Sequence, residues 1–224
     1  GSDLRFDIEI TLREAAHGVK KDISFEKKIR CDECDGSGSK DGKKDRCETC
    51  KGTGQYTRSQ RTPFGSFITS TTCHTCKGSG KVIKNICKEC HGHGVVNKKV
   101  SLEVHIPSGV DTGSNLRLKG EGEETGDGNS GDLYVVVYVK KDPVFERRGD
   151  DIYIKHPISF SDAALGTTVE IPTLYSKVEM KVPLGTQSGT LFRIKGKGIK
   201  SLIDGGHGDQ YVEIVVVTPT NLSK

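Results

Sequence analysis

The feature that most constrains this chain is a Cys-x-x-Cys-x-Gly-x-Gly pattern that occurs four times. All eight cysteines of the 224-residue chain belong to it. A Cys-x-x-Cys pair places two thiolates on one tight turn, which is half of a tetrahedral zinc site. The glycines that follow let the backbone curl around a metal. The four pairs are Cys31 and Cys34, Cys47 and Cys50, Cys73 and Cys76, and Cys87 and Cys90.

Four such half-sites predict two zinc ions, each held by four cysteines in a closed, structural site. A disulfide framework is one alternative, but it is typical of secreted chains with more scattered spacings. Thiol redox chemistry is the other, and it usually needs a βαβ context that is absent here. Because eight cysteines already complete two sites, we expect His74, His91 and His93 to be surface residues.

A second repeat lies outside the cysteines. Residues 104–122 and 180–198 share a Pro-x-Gly turn followed by Arg-x-Lys-Gly-x-Gly, and residues 10–18 resemble residues 158–166. The two halves of the first copy are separated by an extra segment about as long as the cysteine region. The sequence therefore predicts a mainly β chain with two tandem homologous β-sandwich-like domains. The first would be interrupted by an inserted two-zinc, cysteine-rich hairpin arm.

The expected boundaries are residues 3–30 plus 95–140 for the first β-domain, 31–94 for the arm and 141–220 for the second β-domain. The two ends of an inserted unit must lie close together to continue the host strands. This favours nested pairing over sequential pairing, which would leave the ends unclamped. Nested pairing predicts a base site of Cys31, Cys34, Cys87 and Cys90 and a far site of Cys47, Cys50, Cys73 and Cys76.

Runs of β-branched and aromatic residues predict ten strands, and two single helical turns lie between strands. The stretch Gly120–Gly131 is rich in glycine and acidic residues and predicts a mobile loop. The predicted strands are Arg5–Leu12, Ile23–Lys28, Val100–Ile106, Leu116–Lys119, Leu133–Val139, Ile152–Phe160, Thr168–Ile171, Lys177–Val182, Leu191–Ile194 and Tyr211–Val217. The predicted helical turns are Leu12–Ala16 and Ser161–Ala164.

Composition argues against several classes of partner. The net charge is +4, from 34 Lys+Arg and 30 Asp+Glu, so nothing demands nucleic acid. No apolar run approaches the ~18 residues of a membrane span. No signal peptide is visible, and we expect a cytoplasmic protein. Gly1 and Ser2 look like a cleavage scar and are left out of the fold argument.

Four zinc knuckles inserted into the first of two duplicated β-domains resemble the DnaJ family of J-domain co-chaperones, in the type that carries a zinc region. The resemblance covers residues 3–220. It implies a protein that holds unfolded polypeptides and delivers them to a DnaK-type ATP-driven chaperone. The His-Pro-Asp motif of a J-domain does not occur, and the C-terminal dimerisation helix is expected to be absent. We therefore expect a largely monomeric fragment of a homodimeric protein, unable to stimulate ATP hydrolysis.

The resemblance also implies that client segments bind the first β-domain by strand addition and an apolar pocket. Ile23 and Phe25 alternate onto one face of a strand. By resemblance, Leu4, Leu102 and Val135 complete the pocket. The alternative is that all five side chains are ordinary sheet core.

The basic residues Lys43, Lys44, Arg46 and Lys51 of the arm predict either a second contact surface, for clients or the ATP-driven chaperone, or a solvated face. No catalytic set or complete nucleotide motif stands out, so we expect no enzyme. A zinc-linked thiol-disulfide oxidoreductase and a zinc-ribbon nucleic-acid binder remain the competing functions. The second of these predicts binding that weakens steeply with salt.

Overall fold

The structure, a computed structural model, describes residues 1–62 and 65–220, without the side chains of residues 59–68. The last four residues, which entered the expectation about the dimerisation helix, lie outside the described part.

The chain is mainly β, as the sequence predicts. Its elements are β1 (Leu4–Ile10), α1 (Leu12–His17), β2 (Val19–Arg30), β3 (Asp45–Arg46), β4 (Gln55–Thr62), β5 (Gly65–Thr72), β6 (Lys81–Val82), β7 (Val95–Ile106), β8 (Asn115–Leu118), β9 (Leu133–Val139), β10 (Glu146–Arg148), β11 (Asp151–Ser159), α2 (Phe160–Leu165), β12 (Thr167–Pro172), β13 (Lys177–Val182), β14 (Leu191–Ile194) and β15 (Gln210–Val217).

The duplication seen in the sequence is also a duplication of topology. The first copy pairs its strands in the order β1-β9-β8, and the second copy pairs the equivalent strands in the order β11-β15-β14. Each copy adds a two-stranded sheet, β2-β7 in the first and β12-β13 in the second. Strand β10 extends the main sheet of the second copy beyond β11.

The chain separates into two compact units. Unit 1 comprises residues 1–4, 24–101 and 117–134, and unit 2 comprises residues 5–23, 102–116 and 135–224. The divisions fall inside strands β1, β2, β7, β8 and β9. The domain boundaries predicted from the repeats remain a prediction.

Both helices begin at a hydroxyl cap. Thr11 caps α1 in a capping box, in which its side chain accepts from the Glu14 N–H while the Glu14 carboxylate accepts from the Thr11 N–H. Ser159 caps α2 by accepting from the Asp162 N–H. Both helices end at a glycine with positive φ, Gly18 and Gly166. Each helix has six residues, and no helix in the described part of the chain could cross a membrane.

The apolar core of unit 2 is built mainly by the sheet β10-β11-β15-β14 and its neighbours. Alternate residues of β11 and β15 point into it, among them Ile152, Ile154, Val212 and Ile214. Helix α1 contributes Leu12 and Ala16 to the same core. Burial of this apolar face is what holds the short elements of unit 2 together.

The loop predicted to be mobile is tied together by main-chain hydrogen bonds. The N–H of Gly122 donates to the Gly131 oxygen at 2.9 Å, and the N–H of Thr125 donates to the Asn129 oxygen at 3.0 Å. Residues 122–131 therefore form a closed hairpin-like loop. The glycines that predicted mobility allow its tight turn, as at Gly128 with φ +85°.

Arg147 connects three backbone segments of unit 2. Its guanidinium, with only 10% of the side chain exposed, donates to the carbonyl oxygens of Gly149, Val110 and Gly109 at 2.8, 2.6 and 3.2 Å. Asp111 lies 3.7 Å away and balances its charge. Nothing in the sequence pattern singles out this arginine, because its partners are carbonyl groups that carry no sequence signature.

We expect Arg147→Met to destabilise the protein by ~2–4 kcal/mol, because it leaves the carbonyl groups of the buried residues Gly109 and Val110 without these donors. Arg148→Met is the matched control. Arg148 is largely exposed and pairs with Glu146, so its loss should cost less than about 1 kcal/mol. Urea unfolding followed by circular dichroism gives both values. Equal losses in the two variants would contradict the role assigned to Arg147.

Candidate metal centres

The eight cysteines lie in two groups of four, both in unit 1. The groups are those of the nested arrangement: Cys31, Cys34, Cys87 and Cys90 at the base site, and Cys47, Cys50, Cys73 and Cys76 at the far site. Within each group the sulfur atoms all lie within 4.8 Å of one another, and every cysteine is buried. None of the eight is in a disulfide.

Each knuckle turns its backbone toward its own second cysteine. The N–H of the last glycine donates to that sulfur, from Gly38 to Cys34 and from Gly94 to Cys90 at 3.2 Å. The far site repeats this contact at 3.3 Å, from Gly54 to Cys50 and from Gly80 to Cys76. Four glycine N–H groups thus point at the sulfur atoms and favour their charged form.

The two knuckles of a site also bind each other through the main chain. At the base site, the Cys31 N–H donates to the Gly94 oxygen and the Cys87 N–H to the Gly38 oxygen, both at 3.0 Å. At the far site, Cys47 pairs with Gly80 and Cys73 with Gly54, at 2.9 and 3.0 Å. This reciprocal pattern closes each site symmetrically.

The last glycine of each knuckle has a second reason to be glycine. A Cβ on Gly54 would collide with the Gly78 oxygen, and a Cβ on Gly80 would collide with the Gly52 oxygen. The base site has the same close approaches, Gly38 to Gly92 and Gly94 to Gly36. Positive φ was the sequence-level reason for these glycines, and the contact across the knuckle pair is an additional one.

The sulfur spacing fits a tetrahedral thiophilic ion. The distances Cys31–Cys87 and Cys34–Cys90 are 3.9 and 3.6 Å, and Cys47–Cys73 and Cys50–Cys76 repeat these values. Four sulfurs at ~2.3 Å from a central zinc lie ~3.8 Å apart. Both groups could therefore hold a metal ion with all four positions filled by protein.

The pKa of three thiols, those of Cys34, Cys50 and Cys73, is lowered, which favours the thiolate, the form that binds metal. Burial raises the pKa of Cys50, but the Gly54 N–H and the neighbouring thiol of Cys76 lower it to about 6. Burial likewise opposes ionisation of Cys34, and the Gly38 N–H with the thiol of Cys90 lowers its pKa to about 7. The pKa of Cys31, Cys76 and Cys87 is raised instead, so the knuckle backbone assists deprotonation of only some of the thiols in each group.

Unit 1 has almost no apolar core of its own. Apart from the cysteines, Leu133 is the one buried apolar side chain among its described residues. Val96 and Val82 lie half-buried against the base and far sites. Metal binding at these two groups, typically worth ~10–16 kcal/mol for structural zinc in small domains, would then be the main source of order in this unit.

Sequence reasoning missed the residues that support the knuckles. Ser37, Thr53 and Ser79, each between the two glycines of a knuckle, donate their hydroxyls to the carbonyl of the preceding cysteine at 2.7–2.8 Å. His93 takes this position in the fourth knuckle. A hydroxyl residue in three of four Gly-x-Gly steps was the available signal.

The three histidines of the cysteine region, His74, His91 and His93, are exposed.

The five predicted pocket residues differ in burial. Leu4 and Phe25, in unit 1, and Leu102, in unit 2, are half-buried. Ile23 and Val135, in unit 2, are buried, with 3% and 0% of their surface exposed. The pocket itself remains a prediction.

The basic residues of the arm are exposed, but one of them has a structural role. The Arg46 Nε–H donates to the Lys51 oxygen at 2.6 Å, and its side chain lies against Gly52. Lys43, Lys44 and Lys51 extend into solvent. A contact surface formed by these residues remains a prediction.

We expect Gly54→Ala to weaken zinc binding at the far site by at least about tenfold, because the new methyl group separates the paired knuckles. Gly42→Ala is the matched control. Gly42 has a similar φ, +71° against +76°, but nothing lies within 4 Å of its Cβ position. The Gly42→Ala variant should lose only ~1–2 kcal/mol of stability, which is the cost of placing alanine in the left-handed backbone region. Zinc transfer to a chromophoric chelator measures both, and equal affinities would contradict the close-approach argument.

Comparison with known proteins shows the family of the chain. The family model of the DnaJ C-terminal domain matches residues 4–219. The whole chain is 50% identical to "Chaperone protein DnaJ" of Bacillus licheniformis, 48% identical to that of Desulfitobacterium hafniense and 44% identical to that of Acetivibrio thermocellus. It spans about 60% of the length of these curated relatives. The chain belongs to the DnaJ C-terminal domain family.

Proposed function

We propose that this chain is the client-binding part of a molecular co-chaperone, which holds unfolded or extended polypeptide segments for delivery to a DnaK-type ATP-driven chaperone. The observation that carries the proposal is the family match over residues 4–219. The role is binding and not catalysis. Two buried four-cysteine groups account for the chain's most distinctive side chains as structural ligands.

Strand addition to β2 is the binding mode that we propose. Strand β2 has 12 residues and belongs to a two-stranded sheet in which β7 is its neighbour. Backbone N–H and C=O groups on a strand edge can pair with any extended peptide, so the contact tolerates many client sequences. A chaperone needs this tolerance.

An apolar contact beside the strand would supply the remaining affinity. Phe25 and Leu4 are half-buried, so each combines a fixed position with accessible apolar surface. We propose that they contact client side chains, while Ile23, Leu102 and Val135 remain predicted members of the pocket.

Zinc is the metal that we propose for both sites. Four thiolates in tetrahedral spacing suit Zn²⁺, and a closed set leaves no open position for water or substrate. Bound zinc would supply structural order. The chain's own residues do the rest: glycine N–H groups orient the sulfurs, and the paired knuckles exclude water.

Freshly purified protein should contain two zinc ions per chain by atomic absorption. Cys47→Ser should reduce the content to one, because a four-ligand site rarely survives the loss of a thiolate. Ser70→Ala, a change in the β4–β5 hairpin outside both sites, should keep both ions. A content clearly below two in the unmodified chain would exclude the zinc proposal.

The client-binding proposal predicts that the zinc-loaded chain suppresses aggregation of a chemically unfolded reporter protein. Phe25→Ser should weaken this suppression several-fold without changing the zinc content. Phe192→Ser is the control for general destabilisation, because it also removes a half-buried phenylalanine, in this case one of unit 2. Light scattering measures the suppression. Unchanged client affinity in Phe25→Ser would remove this side chain from the binding surface.

A further inference from the structure

The outer edge of β2 can be identified from the direction of its backbone groups. The N–H of Cys31, directly after β2, donates to the Gly94 oxygen, directly before β7. The Ser24 and Ser101 hydroxyls meet at 3.3 Å. Both contacts fit one antiparallel register. Backbone groups alternate along a strand, so odd-numbered residues of β2 face β7 and even-numbered residues face the opposite edge.

One residue occupies the end of that opposite edge. The Glu124 N–H donates to the Lys28 oxygen at 2.8 Å, and the Arg30 N–H donates to the Glu124 carboxylate at 2.8 Å. The carbonyl of one residue and the N–H two residues later are the groups that a neighbouring strand would use. Glu124 therefore takes the place of a strand neighbour at Lys28 and Arg30.

The segment Glu121–Glu124, which we call the acidic strap, is anchored beside β2. Lys27 is almost fully buried, and its ammonium lies 3.3 Å from both the Glu121 carbonyl and the Glu121 carboxylate. Lys28 lies 3.7 Å from the Glu123 carboxylate. A buried ammonium without its partner is costly, so the strap resists displacement.

The residues after the strap rest on the base site. A Cβ on Gly126 would lie 2.5 Å from the Gly36 oxygen, in the first knuckle. The strap is therefore held by β2, and the residues directly after it are held by a knuckle backbone. Both contacts lie within unit 1.

We propose that Glu124 is a positioning residue that sets where an added client strand must end. The client pairs with the outer groups of Ser24 and Glu26 and stops before Arg30, whose N–H Glu124 already holds. This inference rests on the proposed client-binding function. It adds a fixed register to a contact that is otherwise tolerant of sequence.

Amide hydrogen exchange with a reduced, carboxymethylated, permanently unfolded protein tests this inference. In the unmodified chain, client should slow exchange at Ser24 and Glu26 by at least about tenfold. Arg30 should already be protected and should not change. In Glu124→Ala, Arg30 should exchange faster without client, and client should restore its protection.

Two further variants make the result specific. Glu124→Gln keeps a side-chain acceptor for Arg30 and should behave as the unmodified chain. Glu103→Ala removes a glutamate that pairs with the Lys20 side chain, and it should also leave the protected range unchanged. These variants separate loss of the edge contact from loss of charge.

The two proposals fail in different ways. No client-induced protection at Ser24 and Glu26 in any variant would overturn the proposed function. Protection there, with Arg30 of the unmodified chain gaining further protection from client, would overturn the role of Glu124 alone. Unchanged exchange at Arg30 in Glu124→Ala would do the same.

Discussion

Pairing of two cysteine knuckles at each four-cysteine site is the interaction on which unit 1 depends. With Leu133 as the one buried apolar side chain among its described residues besides the cysteines, apolar burial cannot order this unit. Each site instead combines four sulfurs with reciprocal main-chain hydrogen bonds. The base site joins Cys31 to Gly94, where β2 ends and β7 begins. The far site joins Cys73 to Gly54, which places Gln55 opposite Thr72 at the start of the β4–β5 hairpin. Each pair of strands therefore continues from a pair of knuckles.

The two copies of the β-fold share a topology but differ in what their equivalent residues contact. Leu12 of α1 is buried in the core of unit 2, whereas Phe160, its counterpart in α2, is 67% exposed. Strand β11 has β10 as a further neighbour, and in the described part of the chain β1 has no strand in the equivalent place. Duplication therefore reproduced the sheet order, while the elements at its margins diverged.

The sequence was most informative where the spacing of residues along the chain determines what they can bind or how they turn. The cysteine pattern predicted both four-cysteine groups, and the paired turn motifs predicted the duplicated sheets. It was less informative where order comes from contacts distant in sequence. Strands β4 and β5 were missed because they are rich in polar residues, of which Gln55 and Thr72 are exposed, and the far site brings these two residues together. Strand β10 was missed because Glu146-Arg147-Arg148 has no apolar alternation. Strand β2 is longer than the predicted Ile23–Lys28 at both ends: it begins at Val19, and the base site extends its pairing to Arg30.

The charge of the strap follows from this extension of β2. The equivalent loop of the second copy carries Lys197 and Lys200 where the first copy has Glu121 and Glu124. Each loop is closed by an isolated β-bridge, from Lys200 to His207 in the second copy and from Glu124 to Ser130 in the first. Strand β12, the counterpart of β2, ends after six residues, and the loop of the second copy instead buries Ile199 in the core of unit 2. In the first copy, insertion of the arm prolongs β2 through Lys27 and Lys28. A buried lysine and an open strand edge then require a partner that is both acidic and able to bond the backbone, and Glu121 and Glu124 meet these two requirements. The acidic loop is therefore a consequence of the inserted cysteine-rich arm, and the same contacts limit the strand edge left for the proposed client.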